Sequence, residues 1–140
     1  VPVMEWTRNR YRISDDKSEL DLFWVVPAIQ DSYWASGRSR AVIEQSIANS
    51  LTLGLYADGR QIGFARAVTD KCTFAWVCDV MVHQDYRHIG LGKWLMDCLG
   101  EHPDMADVAE QFLRTRDAHG LYEQYGYRVC DAMVRNREQA

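Results

Sequence analysis

No uninterrupted apolar stretch in this chain approaches the roughly 20 residues a helix needs to cross a bilayer, so no membrane-spanning segment is expected. The first residues also lack the basic stretch, apolar core and cleavage site of a secretory leader. The expectation is a soluble, cytoplasmic protein with no membrane partner. Residues 1–3 precede Met4 and read as additions ahead of a natural start. Proline is scarce, at three residues, and no Pro/Gly/Ser-rich linker, repeat or low-complexity tract divides the chain, which predicts one domain over residues 1–140. Cys72, Cys78, Cys98 and Cys130 form no C-x-x-C pair and have no neighbouring histidine at ligand spacing. Neither a metal site nor a dense disulfide framework is expected, and the thiols read as reduced and mostly core. A concentrated basic surface is missing too: 16 Lys and Arg are scattered among 20 Asp and Glu, for a net charge of −4. Phosphate-backbone binding needs clustered cations, so no nucleic-acid partner is expected, and a small or cationic substrate fits better.

Hydrophobic residues fill 47% of the 140 positions, enough for a real core. Residues 11–13 read as a first strand. The polar run 14–21 then suits a helix start, and the apolar stretch 22–29 is helical if Pro27 sits in its first turn. Residues 39–49 predict a second helix, capped by Ser39, with Val42, Ile43, Ser46 and Ile47 on one face. The period then changes. Leu51, Leu53 and Leu55 alternate with Thr52, Gly54 and Tyr56, Asp58-Gly59 supplies turn chemistry, and Ile62, Phe64, Arg66 and Val68 alternate again. After a turn at Asp70-Lys71, residues 73–82 predict a central strand. From Gly90, the spacing of Leu91, Trp94, Leu95, Cys98 and Leu99 predicts an amphipathic helix stopped by Gly100 and Pro103. A buried strand over 109–113, a short helix over 118–124 ended by Gly126, and a last strand over 127–134 complete the order β, α, α, β, β, β, α, β, α, β.

The segment Val82-His83-Gln84-Asp85-Tyr86-Arg87-His88-Ile89-Gly90-Leu91-Gly92-Lys93 joins the central strand to the amphipathic helix. Two glycines there let the backbone approach a ligand closely, and the unpaired N–H groups of a helix's first turn carry partial positive charge. Such a junction suits phosphate, with Arg87 and Lys93 able to add charge. The glycines alone are equally compatible with a tight turn that binds nothing.

These residues resemble a known family. Arg87-His88-Ile89-Gly90-Leu91-Gly92 is similar to the R-x-x-G-x-G/A pyrophosphate motif of Gcn5-related N-acetyltransferases. Ala118-His119-Gly120-Leu121-Tyr122-Glu123-Gln124-Tyr125-Gly126-Tyr127 is similar to that family's A-x-x-L-Y-x-x-x-G-F/Y segment. The resemblance covers roughly residues 51–134 and implies an α/β (α+β) fold. Its mixed, mostly antiparallel central sheet would be flanked by helices, with the fourth and fifth strands splayed into an acetyl-CoA cleft. It further implies that the backbone of Asp79, Val80, Met81 and Val82 pairs with the pantetheine arm like an added strand. Backbone N–H groups of Arg87, His88, Ile89, Gly90, Leu91, Gly92 and Lys93 would hold the pyrophosphate, with Asp117 and Tyr125 also on the cofactor. Two departures stand out. Where many members carry Asn seven residues before the motif tyrosine, this chain has Thr115, with Asp117 two residues on, and His83 stands where Pro is frequent.

The implied activity is transfer of an acetyl group from acetyl-CoA, used as a donor cosubstrate without a metal, to a small-molecule or peptide primary amine. Such an amine has a pKa near 10, and bringing it down about three units costs ~4 kcal/mol, so proton removal needs help. The departing thiolate needs a proton, and Tyr122 matches the family tyrosine beside the CoA sulfur; the other reading is a ring that only packs. Asp79, an acidic residue within an apolar strand, is the candidate base; its alternatives are an ion pair with Arg66 or a structural carboxylate. In this family the first two helices and their loop build the acceptor site, which here makes Trp34 and Arg38 the candidate substrate clamp, Arg38 being able to hold a carboxylate. Trp34 closing the core is the bland alternative. The rival function is a non-catalytic acyl-CoA-binding module, and both a monomer and a homodimer are compatible with the sequence.

Overall fold

The computed structural model describes residues 2–137. A six-stranded sheet runs in sequence order: β1 (Glu5–Arg8), β2 (Tyr11–Ser14), β3 (Leu51–Ala57), β4 (Arg60–Thr69), β5 (Phe74–Val82) and β6 (Glu110–Phe112). All neighbours are antiparallel except β5 and β6, which are parallel. Helices α1 (Leu22–Gln30) and α2 (Arg40–Ala48) precede β3; α3 (Leu91–Glu101) and α4 (Pro103–Ala106) follow β5, and α5 (His119–Glu123) follows β6. Residue 1 of the expected N-terminal addition lies outside the described residues.

Two cores, one on each face of the sheet, follow from period-two alternation in the strands. Leu53, Leu55, Ala65, Ala67, Ala75 and Val77 face α3, which lays Leu91, Trp94, Leu95, Cys98 and Leu99 on them. The opposite face packs Phe64 against Val25, Val26 and Ile29 of α1 and Ile43 and Ile47 of α2. Asp21 caps α1 by accepting from Phe23 N–H, and Ser39 caps α2 by accepting from Val42 N–H. The hairpin turn takes left-handed φ at both Asp58 and Gly59, +50° and +85°, matching the twist of the strands it joins.

Six expectations need correction. The thiols are not mostly core: Cys98 is buried and Cys78 partly so, whereas Cys72 and Cys130 are exposed. An extra strand, β1, pairs with β2 through a tight turn at Asn9; its four residues are mostly exposed and polar, so no burial pattern marks it. Pro27 lies inside α1 rather than in its first turn, on the exposed side, where the carbonyl that loses its donor faces solvent. Gly100 sits within α3, which runs on to Glu101, and Pro103 opens α4. The strand expected over 109–113 is the three-residue β6 and only partly buried. Residues 127–134 form no strand: Val129, Met133 and Val134 are exposed, and apolar alternation without a partner does not make a ladder.

Strand β5 carries one irregularity, at the middle of its length. Phe64 pairs with Met81 and Arg66 with Cys78, so Asp79 and Val80 together oppose Ala65. This bulge adds one residue and resets the alternation: Ala75 and Val77 before it, and Val80 and Val82 after it, all pack toward the α3 core. Asp79 absorbs the bulge with φ of +51°, a left-handed conformation that non-glycine residues hold only when their surroundings fix it.

Candidate active site

The parallel pairing of β5 and β6 stops at Trp76 and Phe112, whose rings stack at 5.8 Å. Beyond this point β5 continues to Val82 with no strand on that side among the described residues, and the chain after β6 turns away toward the α1–α2 loop. Arg116 closes the gap: its guanidinium lies 3.9 Å over the Tyr33 ring, and its backbone N–H donates to the Tyr33 hydroxyl at 3.4 Å. Between these walls is a cavity of about 730 Å³, lined by β5 from Trp76 to Val80, by residues 113–118, by Tyr122 and by the α1–α2 loop.

Asp79 occupies the base of this cavity, its side chain 1% exposed. Trp34 Nε1–H donates to Asp79 Oδ1 at 2.6 Å, and Arg66 Nε–H donates to Oδ2 at 2.9 Å. Arg66 also donates to Ser50 Oγ at 3.1 Å, while Arg38 stands 3.5 Å from Oδ2. A buried carboxylate needs such partners. Of the roles open for Asp79, the ion pair with Arg66 is therefore formed, and both carboxylate oxygens are engaged. Trp34 is 44% exposed at the cavity wall and does not close the core. The two candidate clamp residues thus come together on one carboxylate that lies 45 residues away from Trp34.

At the other end of β5, a short 3₁₀ turn (Gln84–Tyr86), capped by His83 Nδ1, leads to the glycine loop. Gly90, with φ of +88°, is the N-cap of α3 and offers no side-chain acceptor, so the first-turn N–H groups of an eleven-residue helix are left uncapped. A side chain at Gly90 would meet nothing within 4 Å, so the space before the helix is open. Arg87, His88 and Ile89 are exposed, whereas Leu91 points into the core and can contribute only its backbone. Arg87 Nε–H donates to the Val82 carbonyl at 2.8 Å, which leaves the other guanidinium donors without a hydrogen bond among the described residues, and Lys93 lies 3.4 Å from Asp97. These groups fit a phosphate-bearing ligand such as CoA, held by backbone amides with Arg87 beside them. Only one residue of β5, Met81, separates Val80 at the cavity from Val82 at the loop.

Tyr122 lines the cavity opposite β5, between the rings of Tyr125 and Tyr127. Burial, with Tyr125 and Tyr33 nearby, pushes its hydroxyl above the usual phenol range, so it stays protonated. Tyr125 feels Asp97 and Lys93 and so faces α3. Thr115, in the position where Asn is common, accepts from Ala118 N–H at 3.0 Å and is spent on the turn; Asp117 lies exposed on the cavity wall. The sequence reading missed Arg114 and Arg116 as cavity residues. Their i, i+2 spacing beyond a strand end was the available signal. Among the described residues no group of three or more His, Cys, Asp or Glu could hold a metal, and no helix is long and apolar enough to cross a membrane.

Comparison with known proteins agrees with this geometry. The family model described as acetyltransferase (GNAT) domain matches residues 48–129. A solved structure from Xanthomonas campestris pv. campestris, assigned to the GNAT family of acetyltransferases, is 36% identical and superposes with a TM-score of 0.87, covering 91% of this chain and 93% of that one. A Gibberella zeae protein assigned as an acetyltransferase is 24% identical over 69% of this chain and 66% of its own length. An uncharacterized N-acetyltransferase of Pyropia yezoensis is 31% identical over 62% of this chain and 51% of its own. The chain thus spans about half to two thirds of these curated relatives. With the domain match reaching from the end of α2 past α5, and the glycine loop, the splayed strands and Tyr122 all inside it, the chain belongs to the Gcn5-related N-acetyltransferase family.

Proposed function

We propose that this chain transfers an acetyl group from acetyl-CoA to a primary amine by direct attack, both substrates being bound together. The observation that carries the reading is the splay of β5 from β6, which sets Tyr122 across the cavity from a strand whose far end meets the uncapped N-terminus of α3. Acetyl-CoA would supply an activated thioester. Val80, Met81 and Val82 would lie along its pantetheine, and the amides of residues 87–93 at its pyrophosphate.

The remaining steps belong to the chain's own residues. Tyr122, kept protonated by burial, gives its proton to the leaving sulfur. The amine loses a proton as it attacks. Asp79 is poorly placed to take it, because Arg66 and Trp34 already occupy both oxygens, so it enters this reading as a positioning group. Among the described residues Asp117 is the cavity carboxylate outside any ion pair, and it stands exposed where the proton can pass to solvent.

The test is release of free CoA thiol with a panel of amines, in wild type and in Tyr122→Phe. Loss of a positioned acid should lower kcat by roughly 10²–10⁴-fold and leave acetyl-CoA affinity within a few-fold. Because the acid must be protonated and its pKa is raised, wild-type kcat should show no loss from Tyr122 below about pH 10, the ordinary phenol value. Wild-type kcat in Tyr122→Phe with chemistry rate-limiting would leave the ring a packing role. CoA binding without turnover of any amine would favour a binding module.

A further inference from the structure

We infer that the cavity selects an amine that also carries an anionic group, and that Arg38 receives that group. The inference rests on the acetyl-transfer reading and adds the chemical class of the acceptor.

Charge at the site runs against the charge of the chain. The cavity is lined by Arg38, Arg66, Arg114 and Arg116 against Asp79 and Asp117, a surplus of two positive charges in a chain whose net charge is −4. The acidic balance of the whole chain suggests a cationic substrate; the local balance at the site points the other way. The rings of Tyr33, Trp34, Trp76 and Tyr122 line the same space, and at its base, where Arg66 and Asp79 are buried and Arg38 is partly so, charge acts more strongly than in open solvent. A polyamine or a lysine-rich peptide would have to enter against it.

Little of Arg38 is used by the protein itself. Asp79 is satisfied by Arg66 on Oδ2 and Trp34 on Oδ1. Arg38 reaches the same Oδ2 only at 3.5 Å, and among the described residues its guanidinium makes no hydrogen bond, although its side chain is only 27% exposed. One arginine is enough to neutralise the buried carboxylate. The second leaves a planar fork of donors half withdrawn from water, a costly state that an incoming oxyanion relieves with two parallel bonds. Asp79 also fixes where the fork stands. Arg116, pinned over Tyr33, adds a second cation at the mouth.

The phosphates of CoA do not account for these arginines, because the amides suited to them lie outside the cavity lining, in the loop that follows β5 and opens α3. A cavity of about 730 Å³ holds a small amine with an anion a few bonds away. A carboxylate and a phosphate present the same oxyanion chemistry, and both go into the test.

With saturating acetyl-CoA, CoA release is measured for matched pairs: L-phenylalanine against its amide, and phosphoethanolamine against ethanolamine, with spermidine as the cationic member. The anionic member of at least one pair should show kcat/KM on the order of tenfold higher than its neutral partner, the scale of one charge-assisted hydrogen bond. Arg38→Ala should raise KM for that member on the order of 10–100-fold, with acetyl-CoA affinity within a few-fold, and raise the neutral member's KM far less, so that the preference for the anionic member is lost. Arg38→Lys should recover part of the loss, since charge returns without the fork. Thermal melting of each variant separates lost binding from lost folding. If the neutral amines or spermidine are turned over as well as the anionic members, the inference is overturned and the transfer reading stands. If no amine is turned over, calorimetry with L-phenylalanine and phosphoethanolamine in the presence of CoA decides. Binding that Arg38→Ala removes keeps the anion site and sinks acetyl transfer, whereas no binding sinks both.

Discussion

The middle of β5 and the loop past its C-terminal end meet charge by opposite means. At the α3 end, an exposed loop presents backbone amides, and the side chains around them are mostly free in solvent. At the bulge, the backbone is strained and the work falls to side chains from β4, β5 and the α1–α2 loop that gather on one buried carboxylate. A backbone site depends chiefly on local conformation, so its glycines should matter more than its side chains. A side-chain site depends on all its members at once, because each partner offsets the desolvation of the others. Substitutions should therefore damage the two places differently, one through stability and the other through affinity.

The largest effect belongs to Asp79→Ala. It strands the Arg66 guanidinium and the Trp34 indole N–H in a site where the carboxylate is 1% exposed, and breaking such a buried pair costs about 3–5 kcal/mol. Melting should fall on the order of 10–20 °C for a domain of this size. Asp79→Asn keeps an acceptor for the indole and should lose less. Measured by thermal or urea unfolding, a wild-type midpoint in Asp79→Ala would show that the buried carboxylate does not hold this part of the fold together.

The same contrast explains what could be read from the chain beforehand. The glycine loop, the amphipathic α3 and the β3–β4 hairpin are written in residues close together in sequence, with fixed periods or turn chemistry, and each was legible. So was Asp79 as an acidic residue within an apolar strand, with an ion pair to Arg66 one strand away among its possible roles. The bulge was not. Its cause is the need to keep Val80 and Val82 on the α3 face while turning Asp79 to the other, and no local pattern states that. Trp34 reaching Asp79 and Arg116 reaching Tyr33 are contacts across 45 and 83 residues, set by where helices and strand ends dock. The absent strand at 127–134 is the converse error: its apolar alternation was present, but a ladder also needs a neighbour at the right edge.

Next in size is Gly90→Val. No atom would clash with the new side chain, so the damage comes from the +88° φ, which a β-branched residue resists at a cost of about 1–3 kcal/mol. The first turn of α3 should shift, and acetyl-CoA affinity by calorimetry should fall by roughly tenfold or more as the amides lose their common aim. Gly92→Val tests the other half of the motif. Its backbone is not left-handed and Val82 Cγ2 is 3.8 Å from the new Cβ, so any loss of acetyl-CoA affinity there would come through the added bulk alone. Unchanged acetyl-CoA affinity in a folded Gly90→Val protein would remove the loop from the binding site.

Arg87→Ala should have the smallest effect. The Arg87 side chain is exposed, and one of its donors already goes to the Val82 carbonyl, so what remains for a phosphate is a solvated charge. Acetyl-CoA should bind a few-fold more weakly at low salt, and the difference should shrink toward zero near 1 M, where the screening length is about 3 Å. Melting should not move, in contrast to Asp79→Ala. Calorimetry at two salt concentrations separates the two roles of this arginine. A salt-dependent loss marks a charge acting on phosphate. An equal loss at both would mean that the 2.8 Å bond to Val82 shapes the loop, and the α3 end would then depend on a side chain after all.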